Sequence, residues 1–532
     1  MGKIFRRTLT ALLIVIFALS AAIVGAKIQM YTATGEDYAN EVESQDIAKL
    51  RARDKAIKKA TKQAGVYLKS YSRSVNNELT DDEVTAITSN AWQLVSEPKY
   101  SSKIVKGSDE TSIIIWTATV EVNVDDSELQ SWIKRDDKDK STIIEQTRET
   151  QKASEENDRK IEDLREKYKR ATSQADKDRI IKQMEQVDRD FLANQKLEEG
   201  NKLYYAKDYN GSINIYREAL KLKPDWDWAY NNRGCAYDDL GQKERAIQDF
   251  DKAIEINPND DKAYYNRGNA YRKLGQNERA IQNYSKAIEL NPNDADAYNN
   301  RGNAYYELGQ KERAIQDFDK AIELNQNYDK AYYNRGVSYY NLGQKERAIK
   351  DYNKAIELNP NLYQAYYNRG NAYGNLGQYE RAIQDYNKAI QLEPNLAEAY
   401  FWRGKAYSDL GQKERAIQDY DKAIQLNSNL AEAYFSRGSV YDDFGQYDKA
   451  IQDYDKAILL NPNYFEAYFN RGLAYAQMEN FKQAIADCNK VIELKPNLAV
   501  AYYLRGKCYQ ELGNTTQAQA DFAKAKELGY DG

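Results

Sequence analysis

The chain has no histidine and only three cysteines among its 532 residues. Without histidine, imidazole is removed from every role as catalytic base, triad member or metal ligand. Cys235, Cys488 and Cys508 are too few and too scattered for a disulfide framework or a zinc site, so we expect small buried hydrophobic residues. A disulfide between Cys488 and Cys508 is the alternative.

Other signatures of chemistry are missing as well. The formal net charge is -5, and no run of lysine and arginine is interleaved with aromatic residues, which argues against nucleic acid as a partner. There is no glycine-rich phosphate loop and no nucleophile motif. The sequence therefore predicts a protein that is not an enzyme, with no catalytic residue, no cofactor and no metal site.

The first residues have the pattern of an export signal. Lys3, Arg6 and Arg7 precede an uncharged apolar stretch over residues 8–26. Small residues before Lys27 are typical of a cleaved signal peptide. The stretch is also nearly long enough to cross a bilayer, so residues 1–26 are either a signal peptide or a membrane anchor. In both cases the remainder is predicted to be exported, to the cell envelope.

Residues 193–532 repeat themselves every 34 residues, which gives ten units. The clearest marker is an Arg-Gly pair, whose arginines are Arg233, Arg267, Arg301, Arg335, Arg369, Arg403, Arg437, Arg471 and Arg505. A fixed period without insertions indicates stacked supersecondary units rather than one globular core.

Each unit has the apolar spacing of two helices, separated by a glycine turn such as Leu240-Gly241-Gln242. The unit resembles the tetratricopeptide repeat, whose signature positions are occupied by Tyr230, Gly234, Tyr237, Ala246, Phe250, Ala253 and Pro258. The predicted fold class is therefore mainly α: a right-handed α-solenoid of tetratricopeptide repeats, preceded by a small α/β domain and a charged helical spacer. The arginine of each Arg-Gly pair is expected to stack on tyrosine and to pair with an acidic residue such as Asp249 or Asp317.

Residues 28–133 are predicted to form the small α/β domain, in the order β-α-α-β-β. A short strand ends at Gly35, a helix over 44–68 carries alanines four residues apart, and Thr80-Asp81-Asp82-Glu83 is a capping box. Together with Tyr31-Thr32-Ala33-Thr34-Gly35 and the strand Ala118-Thr119-Val120-Glu121-Val122, these segments resemble the N-terminal domain of the flagellar assembly protein T family and a related envelope domain. The resemblance implies a bacterial envelope location and transfers no catalytic residue.

Residues 134–192 are densely charged with both signs, which predicts a solvated helical segment. Ile161, Leu164 and Tyr168 give two apolar helical turns, and Ile180, Met184 and Val187 give two more in a different phase. A sustained coiled coil is therefore not expected, and the alternatives are a rigid spacer and a helical hairpin.

The resemblance to tetratricopeptide repeats implies a concave groove lined by the first helix of each unit. Its sixth position carries an asparagine row, which resembles the asparagine ladder of the O-linked N-acetylglucosamine transferase repeats: Asn232, Asn266, Asn300, Asn334, Asn368 and Asn470. Asparagine can bond the backbone of an extended peptide, or it can bond within its own helix pair. The fifth position carries an aromatic row, which serves either as peptide anchors or as filling between units: Tyr265, Tyr333, Tyr367, Phe401, Phe435 and Phe469.

The second position of the unit changes charge along the array. Lys262 and Lys330 are followed in later units by Glu398, Glu432 and Glu466. A partner with its own charge asymmetry would then bind in one direction. The sequence predicts an exported, envelope-associated scaffold that binds a protein or peptide segment in this groove. The alternative is an accessory subunit of an envelope assembly, in which the α/β domain is the working part and the solenoid a spacer.

Overall fold

The computed structural model describes residues 29–39, 42–74, 79–106, 112–124, 132 and 137–530. The predicted signal or anchor, residues 1–26, lies outside this part of the chain. The described residues divide into two units, 1–270 and 271–532, and each is treated separately below.

The first unit begins with an antiparallel sheet of four strands: β1 (Gln29–Ala39), β2 (Trp92–Leu94), β3 (Lys99–Lys106) and β4 (Ser112–Val124). β4 is central, since it pairs with β1 along one edge and with β2 and then β3 along the other. The β-α-α-β-β order is present with one addition, because the three-residue β2 precedes the two predicted strands. So short a strand has too few residues to show alternation.

Helix α1 (Gln45–Ser74) covers one face of this sheet. The alanines spaced four residues apart form one buried stripe on this helix: Ala48, Ala52, Ala56, Ala60 and Ala64. The expectation that Gly35 ends the strand is wrong: β1 continues through it to Ala39. A Cβ at Gly35 would lie 2.3 Å from the Ala52 carbonyl oxygen and 2.4 Å from the Ala56 nitrogen. Gly35 therefore lets α1 approach the strand backbone closely.

Helix α2 (Asp81–Ala91) starts with the predicted capping box. The Thr80 N–H donates to Glu83 Oε2 at 2.8 Å, and the Glu83 N–H donates to Thr80 Oγ1 at 3.2 Å. One oxygen of Glu83 also accepts from the Trp132 indole at 3.3 Å. These bonds satisfy the first backbone donors of the helix and fix its start.

The charged segment forms a helical hairpin of α3 (Asp137–Arg170) and α4 (Gln174–Tyr205). The two predicted apolar sets close it, since Ile161, Leu164, Ile180, Met184 and Val187 form one buried cluster. The hairpin is not solvated all round, however. Arg165 is buried and donates to Asp37 of β1 and to Glu43, and Arg51 of α1 donates to Asp188. These ion pairs join the hairpin to the sheet domain.

Helix pairs make up the remainder of both units. In the first unit, the end of α4 pairs with α5 (Tyr209–Leu222), α6 (Asp227–Asp239) pairs with α7 (Lys243–Ile256), and α8 (Asp261–Lys273) follows. The first helices of the second unit are α10 (Ala295–Glu307), α12 (Asp329–Asn341), α14 (Tyr363–Asn375), α16 (Ala397–Asp409), α18 (Ala431–Asp443), α20 (Phe465–Gln477) and α22 (Ala499–Glu511). The second helices are α9 (Asn277–Leu290), α11 (Lys311–Leu324), α13 (Lys345–Leu358), α15 (Tyr379–Leu392), α17 (Lys413–Leu426), α19 (Tyr447–Leu460), α21 (Phe481–Leu494) and α23 (Thr515–Glu527).

Candidate peptide-binding groove

The first helices of successive repeats lie side by side in the second unit, each packed against its own second helix. Repeat positions are counted from the first residue of each first helix, so that Asp329 is position 1 of the repeat built from α12 and α13. Glycine at position 8 lets the two helices of a repeat pack closely, because a Cβ at Gly336 would lie 2.8 Å from the Tyr352 ring. The groove face is defined as positions 2, 5, 6, 9, 12 and 13 of these helices, the positions that the resemblance to tetratricopeptide repeats assigns to it.

The repeated arginine fixes its first helix against the second helix of its own repeat and, in most repeats, also against that of the preceding repeat. Nε and Nη2 of Arg335 donate to the Asp351 carboxylate at 2.8 and 2.7 Å, and Nη1 reaches Asp319 of the preceding repeat at 2.5 Å. The guanidinium also lies 5.5 Å from the Tyr332 ring centroid. Burial lowers the pKa of Arg335, but its hydrogen bonds to the two aspartates outweigh this and raise the pKa above its usual range. The predicted stacking and pairing are thus confirmed, as they are at Arg301 and its partner Asp317.

The asparagine row does not point freely into solvent. The Asn334 amide donates to Asn299 Oδ1 at 3.0 Å, and the Asn368 amide donates to the Tyr333 hydroxyl at 2.9 Å. Asn300 accepts from Asn299 at 3.2 Å. For Asn334 and Asn368 the partner is position 5 of the preceding repeat, so these bonds join successive repeats rather than one helix pair. Their side-chain oxygens accept no hydrogen bond from the described residues and remain open to a peptide N–H.

At its far end the row changes. Asn470 lies beside the Tyr454 hydroxyl, which has no hydrogen-bond partner among the described residues. Between Asn368 and Asn470 the row is interrupted by Trp402, which lies beside the Tyr367 hydroxyl and keeps 36% of its surface exposed, and by Ser436.

In the first unit the predicted groove residues are engaged by the chain itself. Asn232 is buried; its amide donates to Asn201 at 3.0 Å, and its oxygen accepts from Gln146 of α3 at 3.4 Å. Lys262 is ion-paired with Glu145 of α3. Helix α3 therefore lies against this part of the groove face.

Two further groove residues of the first unit stand in α8. The Asn266 amide donates to Asn231 Oδ1 at 3.0 Å and contacts Cys235 Sγ at 3.4 Å. Tyr265 precedes it and is half-buried. Asn266 thus repeats the bond from position 6 to position 5 of the preceding repeat.

The aromatic row packs into its own repeats. Tyr333, Tyr367, Phe401 and Phe435 lie 5.9–6.2 Å, centroid to centroid, from an aromatic ring of the second helix. Burial raises the pKa of both the Tyr333 and the Tyr367 hydroxyls. These rings fill space within the repeats; Phe401 is buried, and Tyr333, Tyr367, Phe435 and Phe469 are half-buried. Lys330 is exposed beside this row.

Sequence reasoning missed Gly374 at position 12. The same position holds Tyr306 and Tyr340 in the two preceding repeats, so the glycine opens a gap in the groove face next to Trp402. Comparison of the copies at this position could have revealed it.

None of the three cysteines, all of which lie in the described part of the chain, forms a disulfide; Cys488 and Cys508 are buried, and burial raises the pKa of Cys508 to about 11. No cluster of three possible metal-ligating side chains occurs among the described residues. A helix long and apolar enough to span a membrane is likewise not found in that part of the chain.

Comparison with known proteins shows the family. Models described as TPR repeat match residues 200–241, 268–309, 302–343, 375–411 and 443–479, and tetratricopeptide repeat models match between and beyond them. Together they span residues 200–520, which is more than half of the chain. The protein belongs to the tetratricopeptide repeat family, whose members bind protein or peptide partners.

Individual relatives match parts of the chain. The small glutamine-rich tetratricopeptide repeat-containing protein 2 of Mycosarcoma maydis is 40% identical over 57 residues, which are 11% of this chain and only 16% of that protein. Among solved structures, MamA is 29% identical over 32% of this chain and 94% of its own, with a TM-score of 0.30. YrrB, described as a TPR protein with an unusual peptide-binding site, is 29% identical over 35% of this chain and 97% of its own, with a TM-score of 0.32.

Proposed function

We propose that the protein is an exported, envelope-associated scaffold that binds an extended partner segment along the groove face of the second unit. The observation that carries this proposal is the open side-chain oxygens of Asn334 and Asn368, 34 residues apart on adjacent first helices. Their amides are already held by the preceding repeat, so the oxygens are fixed in place. Fixed acceptors bind a peptide backbone with less loss of conformational entropy than mobile ones.

Replacing Asn300, Asn334 and Asn368 with alanine tests this function. Partners captured from the native envelope by proximity labelling should be lost from the triple variant. The matched control replaces three half-buried lysines of the second helices, Lys320, Lys354 and Lys388, with alanine and should keep these partners. An unchanged set of partners in the asparagine variant would contradict groove binding.

Export is supported by the charged and apolar pattern of residues 1–26. N-terminal sequencing of the protein recovered from cell fractions checks it. A mature chain that starts near Lys27 in an extracytoplasmic fraction is expected for a cleaved signal, and an intact terminus in the membrane fraction for an anchor. An intact chain in the cytosol would refute export.

An accessory role in an envelope assembly is the second candidate. It is favoured by helix α4, which belongs both to the hairpin on the sheet domain and to the first repeat. The resemblance of residues 28–133 to the flagellar assembly protein T domain points the same way. If partners depend on the sheet domain and survive the asparagine substitutions, this role replaces groove binding.

A further inference from the structure

Two residues that differ from those of the preceding repeats meet at one place on the groove face. Gly374 stands where the two preceding repeats have tyrosine, and Trp402 stands where they have asparagine. Between them lies a cavity of about 310 Å³. A Cβ at Gly374 would make ordinary van der Waals contacts, at 3.7 Å to the Tyr386 hydroxyl and 4.0 Å to the Ala382 Cβ, so a side chain fits at this position without a clash.

The walls of this cavity, the Trp402 pocket, are aromatic rings held by hydrogen bonds. Tyr386 donates to Asn371 at 2.8 Å, and Asn375 donates to the Tyr340 hydroxyl. Trp402 packs edge-on against Phe401 at 5.2 Å between centroids. The pocket is therefore formed before any ligand arrives.

Charged side chains of both signs line the pocket, and further carboxylates stand on the same helix and on the next first helix. Asp409 lines the pocket, is exposed, and makes no ion pair with any described residue. Glu398 lies one helical turn before Trp402, and Glu432 occupies the same position in the next repeat; both are exposed and unpaired within the described part of the chain. Lys405 is the cation among the lining residues and lies 5.2 Å from the Trp402 ring.

We propose that the Trp402 pocket takes an arginine side chain of a basic, extended partner segment. This inference rests on groove binding as proposed above and names the chemistry of the partner. A guanidinium stacks on aromatic faces and donates up to five hydrogen bonds, which suits rings interspersed with Asn371, Asn375 and Asp409. An aliphatic or aromatic anchor would bury those polar groups without bonding them. The protein uses the same combination internally, since Arg369 lies 5.6 Å from the Tyr366 ring and pairs with Asp385.

Selection from a random peptide display library on the full chain tests the pocket. The wild-type protein should enrich basic peptides with one dominant arginine. Gly374→Tyr fills the pocket with the residue that the two preceding repeats carry at this position. Trp402→Asn introduces the asparagine that those repeats carry at position 6. Both variants should fold with unchanged circular dichroism and lose the arginine preference. Ala476→Tyr, at the same position three repeats further on, is the matched control and should keep it.

An enriched peptide is then resynthesised with its arginine changed to lysine or phenylalanine. Each change should weaken binding at least tenfold to the wild-type protein and little to Gly374→Tyr. Asp409→Asn should weaken the original peptide, and Lys405→Ala should strengthen it. Enriched peptides that lack a preferred arginine, or prefer phenylalanine or leucine, would overturn the pocket while leaving groove binding intact. A library from which the wild type enriches nothing would overturn both.

Discussion

Replacing Arg335 with leucine is expected to destabilise its repeat by about 3–5 kcal/mol, because it leaves a buried carboxylate without its partner. Asp351 keeps 6% of its side-chain surface exposed and receives two hydrogen bonds from Arg335. Leucine is the residue that the repeat motif favours at this position, so its shape is tolerated. The loss comes from the uncompensated charge rather than from a steric conflict.

Two further variants separate this cause from others. Asp319, the other carboxylate bound by Arg335, is 51% exposed, so Asp319→Ala should lower stability by only about 0–1 kcal/mol. The double variant Arg335→Leu/Asp351→Leu removes both buried charges and should recover most of the stability lost by Arg335→Leu alone.

Stacked repeats can unfold in parts, so a single global transition is not the right measure. Hydrogen exchange of the peptides from α12 and α13, read by mass spectrometry, reports the opening free energy of this repeat. Equal losses for Arg335→Leu and Asp319→Ala would refute the reasoning. So would a double variant no more stable than Arg335→Leu.

Three other predictions concern the first unit. Gly35→Ala should lower its stability by at least 1–3 kcal/mol in chemical denaturation, since the new Cβ meets the backbone of α1 at Ala52 and not a movable side chain. Burial, together with the nearby carboxylate of Asp54, raises the pKa of Glu198 to about 7. The folded state therefore binds the proton more tightly than the unfolded state, and stability is lost as pH rises from about 4.5 to about 7. Glu198→Gln should remove this loss and be more stable than the wild type at pH 8, by roughly 1–3 kcal/mol in thermal or urea unfolding. Glu145→Ala breaks a half-exposed ion pair with Lys262 and should change stability by less than about 1 kcal/mol.

Local signals in the sequence predicted the local structure well. The capping box at Thr80 and Glu83 depends on residues three apart, and the alanine stripe of α1 on residues four apart. The pairing of Arg301 with Asp317 spans sixteen residues, yet it was predictable because the period places both residues in one repeat.

Contacts between distant segments were not predictable. The partners of Arg165 lie more than a hundred residues away, and nothing in the mixed charge of residues 134–192 distinguishes it from its exposed neighbours. The contact of α3 with Asn232 and Lys262 likewise joins segments far apart in the sequence and was not predictable. Gly35 was misread because a glycine within a strand signals either a break or a close approach, and only the packed helix decides between them.

The repeats divide residues into those that hold the array together and those that face a partner. Arg335 and Gly336 recur because every repeat needs the same ion pairs and the same close helix packing. Positions 2, 6, 9 and 12 carry neither of these, and although Asn334 at position 6 bonds the preceding repeat, the residues at these positions differ between copies. Position 12 varies from repeat to repeat, and position 6 departs from asparagine at Trp402; the pocket lies where Gly374 and Trp402 meet. Tyrosine at position 12 of the two preceding repeats shows that the helix pair does not require glycine there, so Gly374→Tyr fills the pocket without disturbing the packing that the other repeats share.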